Sequence, residues 1–173
     1  MAFDAVLFDR DGTLVRDVPY NGDPRLVEPM PGARELLGRL RATGVRTGVV
    51  SNQSGIARGL LTRAQVDTVN ARVEELLGRF GSWQVCPHGP EDGCPCRKPR
   101  PALVRAACAA LGVPPERTAV VGDIEADVHA ALAAGAHPIL VPTPATRRDE
   151  VVRAPVVAAD LREVMALLFG RGR

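Results

Sequence analysis

Short apolar runs alternate along this chain with stretches whose apolar residues recur every three or four positions. Ala5 to Phe8 is a four-residue apolar run ending in polar residues, the pattern of a strand buried on both faces. Pro31 opens a helix that carries Ala33, Leu36, Leu37 and Leu40 on one stripe and stops at Gly44, with proline at the start and glycine past the end. Val45 to Val50 is a second strand. Thr62 caps a long helix with Val66, Val69, Val73, Leu76 and Leu77 on its apolar side. A short strand around Val85 precedes a cysteine-rich loop, and a helix follows from Pro101 to Leu111. Thr118 to Val121 reads as a strand, Ala126 to Ala134 as a helix, Ile139 to Val141 and Val156-Val157 as strands, and Leu161 to Phe169 as a closing helix. The polar, arginine-bearing stretch from Thr143 to Pro155 reads as a surface loop. Strands separated by helices predict an α/β fold with a parallel sheet flanked by helices, because parallel neighbours need crossover connections.

Composition narrows the class. A chain of 173 residues is expected to form one domain, residues 1–173, able to bury a core without disulfides. Aromatic residues make up 3%, too few for the stacking platforms of single-stranded nucleic-acid binders. The formal charge of +2, from 22 basic and 20 acidic residues, offers no field for nucleic acid or anionic membrane. No apolar segment approaches the roughly 20 residues of a membrane helix. Asp4, Asp9 and Arg10 among the first ten residues do not read as a signal peptide. The expected protein is cytoplasmic and monomeric. Lys98 is the only lysine in the chain.

The chemistry begins at Asp9-Arg10-Asp11-Gly12-Thr13, thrown off the end of the first strand. In open α/β sheets, ligands bind beyond the carboxyl ends of the strands. The same edge should receive Ser51, Lys98 and Asp123, each of which follows a strand or precedes a helix. An ionised carboxylate can attack phosphorus without a separate base. A phosphate beside it needs a hard cation such as Mg²⁺, for which Asp9 and Asp123 supply oxygens. Lys98 would neutralise the transferring group and Ser51 would hydrogen-bond to it. Asp11 would protonate the leaving oxygen and later activate water.

Cys86, His88, Cys94 and Cys96 lie within one loop, residues 86–96, and form a closed set of soft ligands suited to tetrahedral Zn²⁺ in a structural role. A redox pair or a chance clustering is the alternative. Cys108, in the helix that follows, reads as a small core residue. The loop runs straight into Arg97-Lys98-Pro99, so a metal there would fix those cations.

Asp9-x-Asp11-Gly12-Thr13, Ser51-Asn52, Arg97-Lys98-Pro99 and Gly122-Asp123-x3-Asp127 resemble, in order, the four motifs of the haloacid dehalogenase superfamily. The resemblance spans most of the chain. It implies a Rossmann-like sheet, a phosphatase working through an aspartyl-phosphate on Asp9, and Asp11 as acid and base. It also implies Mg²⁺ held by Asp9, the Asp11 carbonyl and Asp123. The cysteine loop and the run Ser51 to Gly59 look like the heptose bisphosphate and histidinol-phosphate phosphatases of that superfamily. That likeness implies a substrate-facing loop at Asp17 to Tyr20 and phosphate contacts from Ser51, Asn52, Gln53 and Ser54. It further makes Arg97 and Lys98 substrate-recognition residues. The pattern departs at Ile124, where a basic residue is expected, with Arg147 or Arg148 as substitutes. Fewer than twenty residues separate Thr13 from the Pro31 helix, too few for a cap domain. A non-catalytic module built on the metal loop is the reading from a different class.

Overall fold

The computed structural model describes residues 3–170. The expected domain span also takes in residues 1, 2 and 171–173, which lie outside the described residues. The strands β1 (Ala5–Phe8), β2 (Arg46–Asn52), β3 (Ser82–Cys86), β4 (Thr118–Gly122) and β5 (His137–Leu140) form one sheet in the order β3-β2-β1-β4-β5. Every pairing is parallel, with Phe8 opposite Val49 on one side and Val121 on the other. The helices are α1 (Ala33–Ala42), α2 (Arg63–Leu77), α3 (Ala102–Leu111), α4 (Glu125–Ala134), α5 (Arg148–Arg153) and α6 (Leu161–Phe169).

Successive strand side chains point to opposite faces, and the core divides accordingly. Val6 and Phe8 pack with Leu36, Leu37 and Leu40 of α1, Val73 and Leu77 of α2, and Val164 and Leu168 of α6. Ala5 and Leu7 pack on the other face with Leu103, Val104 and Ala107 of α3 and Ala130 and Ala131 of α4. All four residues of β1 are fully buried, which is why that strand reads as an uninterrupted apolar run. At the start of α2, Thr62 Oγ1 accepts the Gln65 N–H at 3.1 Å and Gln65 Oε1 accepts the Thr62 N–H at 2.8 Å, a reciprocal cap.

Two sequence expectations change. Val156-Val157 is no strand: only a bridge between Leu140 and Val157 forms, too short a pairing to extend the sheet. The stretch expected as loop contains α5, which has no buried residue. It is held instead by Arg153 on Asp149 and Glu125, both at 2.7 Å, so apolar periodicity gives no sign of it. Residues 15–32, between the first motif and α1, contain a 3-10 turn, Pro24–Leu26, and an antiparallel bridge between Val15 and Pro29, and no cap domain. The carboxyl ends of β1 and β4 are therefore uncovered by any inserted domain.

Candidate active site

The chain runs from β1 outward through β2 and β3, then crosses back to β4 on the other side of β1. This reversal opens a crevice at the carboxyl ends of β1 and β4, the place where doubly wound sheets bind ligands. Asp9 leaves β1 with its N–H bonded to Val121 O at 2.9 Å, and Asp123 leaves β4 beside it. Gly12 permits the approach. Its φ is +83°, and a Cβ there would stand 2.5 Å from Asp123 Oδ2. Gly122 does the same for Asp127, whose Cβ lies 2.3 Å from the place a side chain at 122 would take.

Lys98 reaches into this crevice fully buried. Its three protons are all donated: to Asp127 Oδ1 at 2.6 Å, Val50 O at 2.7 Å and Asp9 Oδ1 at 2.8 Å. Burial alone would lower its pKa, but the Asp127 and Asp9 carboxylates outweigh that and hold it above the ordinary lysine value. Asp127 belongs to the motif after β4, yet its place in that motif assigns it no role. At the third position of α4 it also accepts the Ile124 N–H through Oδ2 at 3.3 Å, so one carboxylate caps the helix and anchors the ammonium.

Asp9, Asp123 and Asp127 present oxygens within 4.8 Å of one another. Burial pushes the Asp9 pKa up to about 7, with Lys98 pulling it down and Asp127 and Asp11 adding to the rise. Burial, Asp9 and Asp127 push Asp123 to about 8. Among the described residues the only side chain bonded to the Asp123 carboxylate is Thr13, whose Oγ1 donates to Oδ1 at 3.4 Å, while Thr146 Oγ1 donates to the Asp123 backbone oxygen at 2.6 Å. Three buried carboxylates thus face one ammonium, and Asp123 lacks a cationic partner. A hard divalent cation with oxygen ligands fits that deficit.

Asp11 is turned away from this cluster. Arg10 Nε and Nη2 fork onto its two oxygens at 3.0 and 2.9 Å, and Gln53 Nε2 donates to Oδ2 at 2.7 Å. The Gln53 amide also donates to Ser51 Oγ at 2.9 Å, joining two expected site residues. Asn52 acts differently. Its Nδ2 donates to Lys98 O and its Oδ1 accepts Lys98 N–H, both at 3.1 Å, clamping the backbone that carries the lysine. Asp17, Tyr20 and Ser54 line a cavity of about 290 Å³ together with Asp11 and Gln53. Burial raises the Asp17 pKa, with Asp11 adding to it. Arg58 stands over the Tyr20 ring, 5.7 Å from its centre.

The second cluster is the cysteine loop. Cys86, His88, Cys94 and Cys96 bring their donor atoms within 4.8 Å of one another. Cys94 Sγ lies 3.6 Å from both Cys86 Sγ and Cys96 Sγ, His88 Nδ1 lies 3.6 Å from Cys86 Sγ and 3.3 Å from Cys96 Sγ, and Cys86 Sγ and Cys96 Sγ are 2.9 Å apart. Zinc–sulfur bonds of about 2.3 Å require tetrahedral edges of about 3.8 Å, so the donor set fits that metal in kind and number, and Cys86 and Cys96 would move apart to admit it. Burial pushes the Cys86 thiol up to about 12. At Cys94 burial is outweighed by the Arg97 N–H and the other two thiols, which bring it down to about 7. Arg97 also bonds His88 O through Nη1 at 3.1 Å, so its guanidinium braces the loop. Gln53 N–H and Ala57 N–H bond Cys86 O and Pro87 O at 2.7 and 3.1 Å, tying the loop to the turn after β2.

Ile124 is exposed, beside Arg147 and Glu125 in a shallow cavity. Arg147 faces Glu150 at 3.2 Å, Asp149 at 3.5 Å and Glu125 at 3.6 Å, so its charge is already met by carboxylates. Sequence reasoning assigns nothing to Arg10, Asn70 or Thr13. The available signal for Asn70 is its place on the apolar stripe of α2, between Val66 and Val73.

Sheet order, the crevice carboxylates and the buried lysine together define a haloacid-dehalogenase-like hydrolase. Residues 95–164 match the family model described as "HAD-hyrolase-like". The D-glycero-beta-D-manno-heptose-1,7-bisphosphate 7-phosphatase of Pseudomonas putida is 37% identical over 80% of this chain and 82% of its own length. The enzyme of the same name from Pseudomonas aeruginosa is 38% identical over 83% of each. The crystal structure of D,D-heptose 1,7-bisphosphate phosphatase from B. bronchiseptica, complexed with magnesium and phosphate, superposes with a TM-score of 0.85 at 29% identity. The match covers 96% of this chain and 98% of that one. The chain belongs to this family of phosphatases within the haloacid-dehalogenase-like hydrolases.

Proposed function

We propose that this chain is a Mg²⁺-dependent phosphatase that removes the 7-phosphate of D-glycero-D-manno-heptose 1,7-bisphosphate through an aspartyl-phosphate on Asp9. The observation that carries the chemistry is the buried Lys98 held between Asp9 and Asp127, next to an Asp123 without a cationic partner. Asp9, Asp123 and the Asp11 carbonyl would hold Mg²⁺, which supplies charge neutralisation where phosphate meets carboxylate.

Lys98 fixes one Asp9 oxygen by hydrogen bond and leaves the other to attack phosphorus. As the Asp9 O–P bond forms, the bond from phosphorus to the leaving oxygen breaks, and that oxygen takes a proton from Asp11. Asp11, now a carboxylate, takes a proton from water as the water oxygen attacks the phosphoryl group and displaces Asp9. Ser51 donates a hydrogen bond to a phosphoryl oxygen, and the Lys98 ammonium, whose protons are all held by protein oxygens, stabilises the phosphoryl charge through space. Asp17, Tyr20, Ser54 and Arg97 surround the rest of the substrate. Cys86, His88, Cys94 and Cys96 would hold a Zn²⁺ in a structural role. The protein acts as a cytoplasmic, monomeric, single-domain enzyme on a small metabolite.

Phosphate release from heptose 1,7-bisphosphate and from histidinol phosphate, each with Mg²⁺, tests the assignment. A kcat/KM at least tenfold higher for the heptose is expected, and a preference for histidinol phosphate overturns the substrate. Asp9→Asn should abolish turnover while leaving the fold intact. Activity surviving that change would remove Asp9 as the nucleophile.

A further inference from the structure

Arg10 is a charged side chain only 1% exposed, the bulkiest fully buried one among the described residues. A buried charge persists only with partners, and each of the partners here has a direction. Its Nη1 donates to Asn70 Oδ1 at 2.7 Å, its Nε to Asp11 Oδ1 at 3.0 Å and its Nη2 to Asp11 Oδ2 at 2.9 Å. Asn70 is itself buried, on the stripe where α2 otherwise places valines. The asparagine thus costs α2 an apolar contact, and what it gains is a fixed guanidinium. The Asp11 side chain remains 26% exposed, towards the cavity it shares with Asp17 and Tyr20.

A carboxylate has about four lone-pair sites, two on each oxygen. Oδ2 uses both, accepting from Arg10 Nη2 and Gln53 Nε2, whereas Oδ1 accepts only from Arg10 Nε. One position is left open, and it is on Oδ1. We infer that Arg10, anchored to α2 by Asn70, is a positioning residue that presents Asp11 Oδ1 as the atom exchanging the proton with the leaving oxygen. Gln53 completes the arrangement by occupying Oδ2 and linking it to Ser51, so the proton donor and the phosphate contact move as one unit. Planarity makes the fork specific to arginine, because a lysine ammonium cannot engage both oxygens in one plane.

The inference rests on the proposed role of Asp11 as general acid, and the test separates the two. Hydrolysis of p-nitrophenyl, phenyl and benzyl phosphate is measured for wild type and variants of the intact protein, with circular dichroism confirming the fold. The leaving oxygen needs a proton least in the first and most in the last. General acid catalysis is worth roughly 10²–10⁴-fold. Arg10→Lys and Asn70→Ala should each lose at least tenfold more kcat/KM with benzyl than with p-nitrophenyl phosphate. Asn70→Asp, which keeps an acceptor for Nη1, should restore the wild-type ratio. Equal losses across the three substrates would make Arg10 a strut of the fold and overturn the inference. Asp11→Asn is the control. If it discriminates among leaving groups and Arg10→Lys does not, only the positioning role falls. If Asp11→Asn also loses activity uniformly, the general-acid reading falls and takes the inference with it.

Discussion

Gly12 and Asp123 show how closely single atoms are set in this site. With φ at +83° and Asp123 Oδ2 at 2.5 Å from a would-be Cβ, Gly12→Ala combines a strained backbone with a collision against a carboxylate of the crevice. It should cost about 1–3 kcal/mol in unfolding free energy. It should also raise the Mg²⁺ concentration needed for half-maximal activity by at least tenfold, as read in a magnesium titration. An unchanged magnesium dependence would mean that Asp123 does not need its present place. The DxD motif and Gly122-Asp123 are legible in sequence because carboxylates after apolar strands have few structural reasons to be there. The roles of Asp127, Arg10 and Asn70 are not, because their partners lie 29, 1 and 60 positions away and only folding selects which.

The metal loop and the helices act as units. Cys94 Sγ accepts the Arg97 N–H at 3.4 Å, one residue before the lysine whose backbone Asn52 clamps. Cys94→Ser should therefore lower zinc content, measured by atomic absorption, and reduce kcat/KM at least tenfold through displacement of Lys98. Zinc loss with unaltered kinetics would show that the loop does not position the lysine. The helix α1 gives the contrasting case. Leu37 is fully buried in the core that also contains Val6, Phe8, Val164 and Leu168, and it belongs to neither cluster of candidate metal ligands. Leu37→Ala should cost about 2–5 kcal/mol in chemical denaturation while leaving kcat of the folded enzyme within a factor of two. Long helices with apolar stripes are legible because burial imposes a period on sequence. Helix α5 is not, since ion pairs with Asp149 and Glu125 leave no period behind.

At the scale of the whole molecule, the crevice stores charge against the fold. Asp9 and Asp123 have folded-state pKa values of about 7 and about 8, above the ordinary carboxylate value of about 4. Between those limits the folded chain holds more protons than the unfolded one, so stability falls as pH rises. Protein dialysed free of Mg²⁺ but retaining zinc should show a Tm that declines from pH 5 to pH 8. Added Mg²⁺ competes with those protons, so it should raise Tm more at pH 8 than at pH 5. Equal gains at both values would show that the carboxylates and the metal are not linked.

The sequence by itself determined the order of the five paired strands and of every helix but α5, the parallel sheet and the four polar motifs at strand ends or helix starts. It also identified the loop of three cysteines and a histidine. Those features are written locally, in periodicity and in residue types that have no place in a core. Only the tertiary structure decided that Lys98 spends all three protons, that Asn52 holds a backbone rather than standing free in the crevice, and that Arg147 is matched by carboxylates. It alone turned Asp11 towards Arg10 and Gln53. A side chain's partner depends on which strands the crossovers bring side by side, and that is a property of the folded chain as a whole.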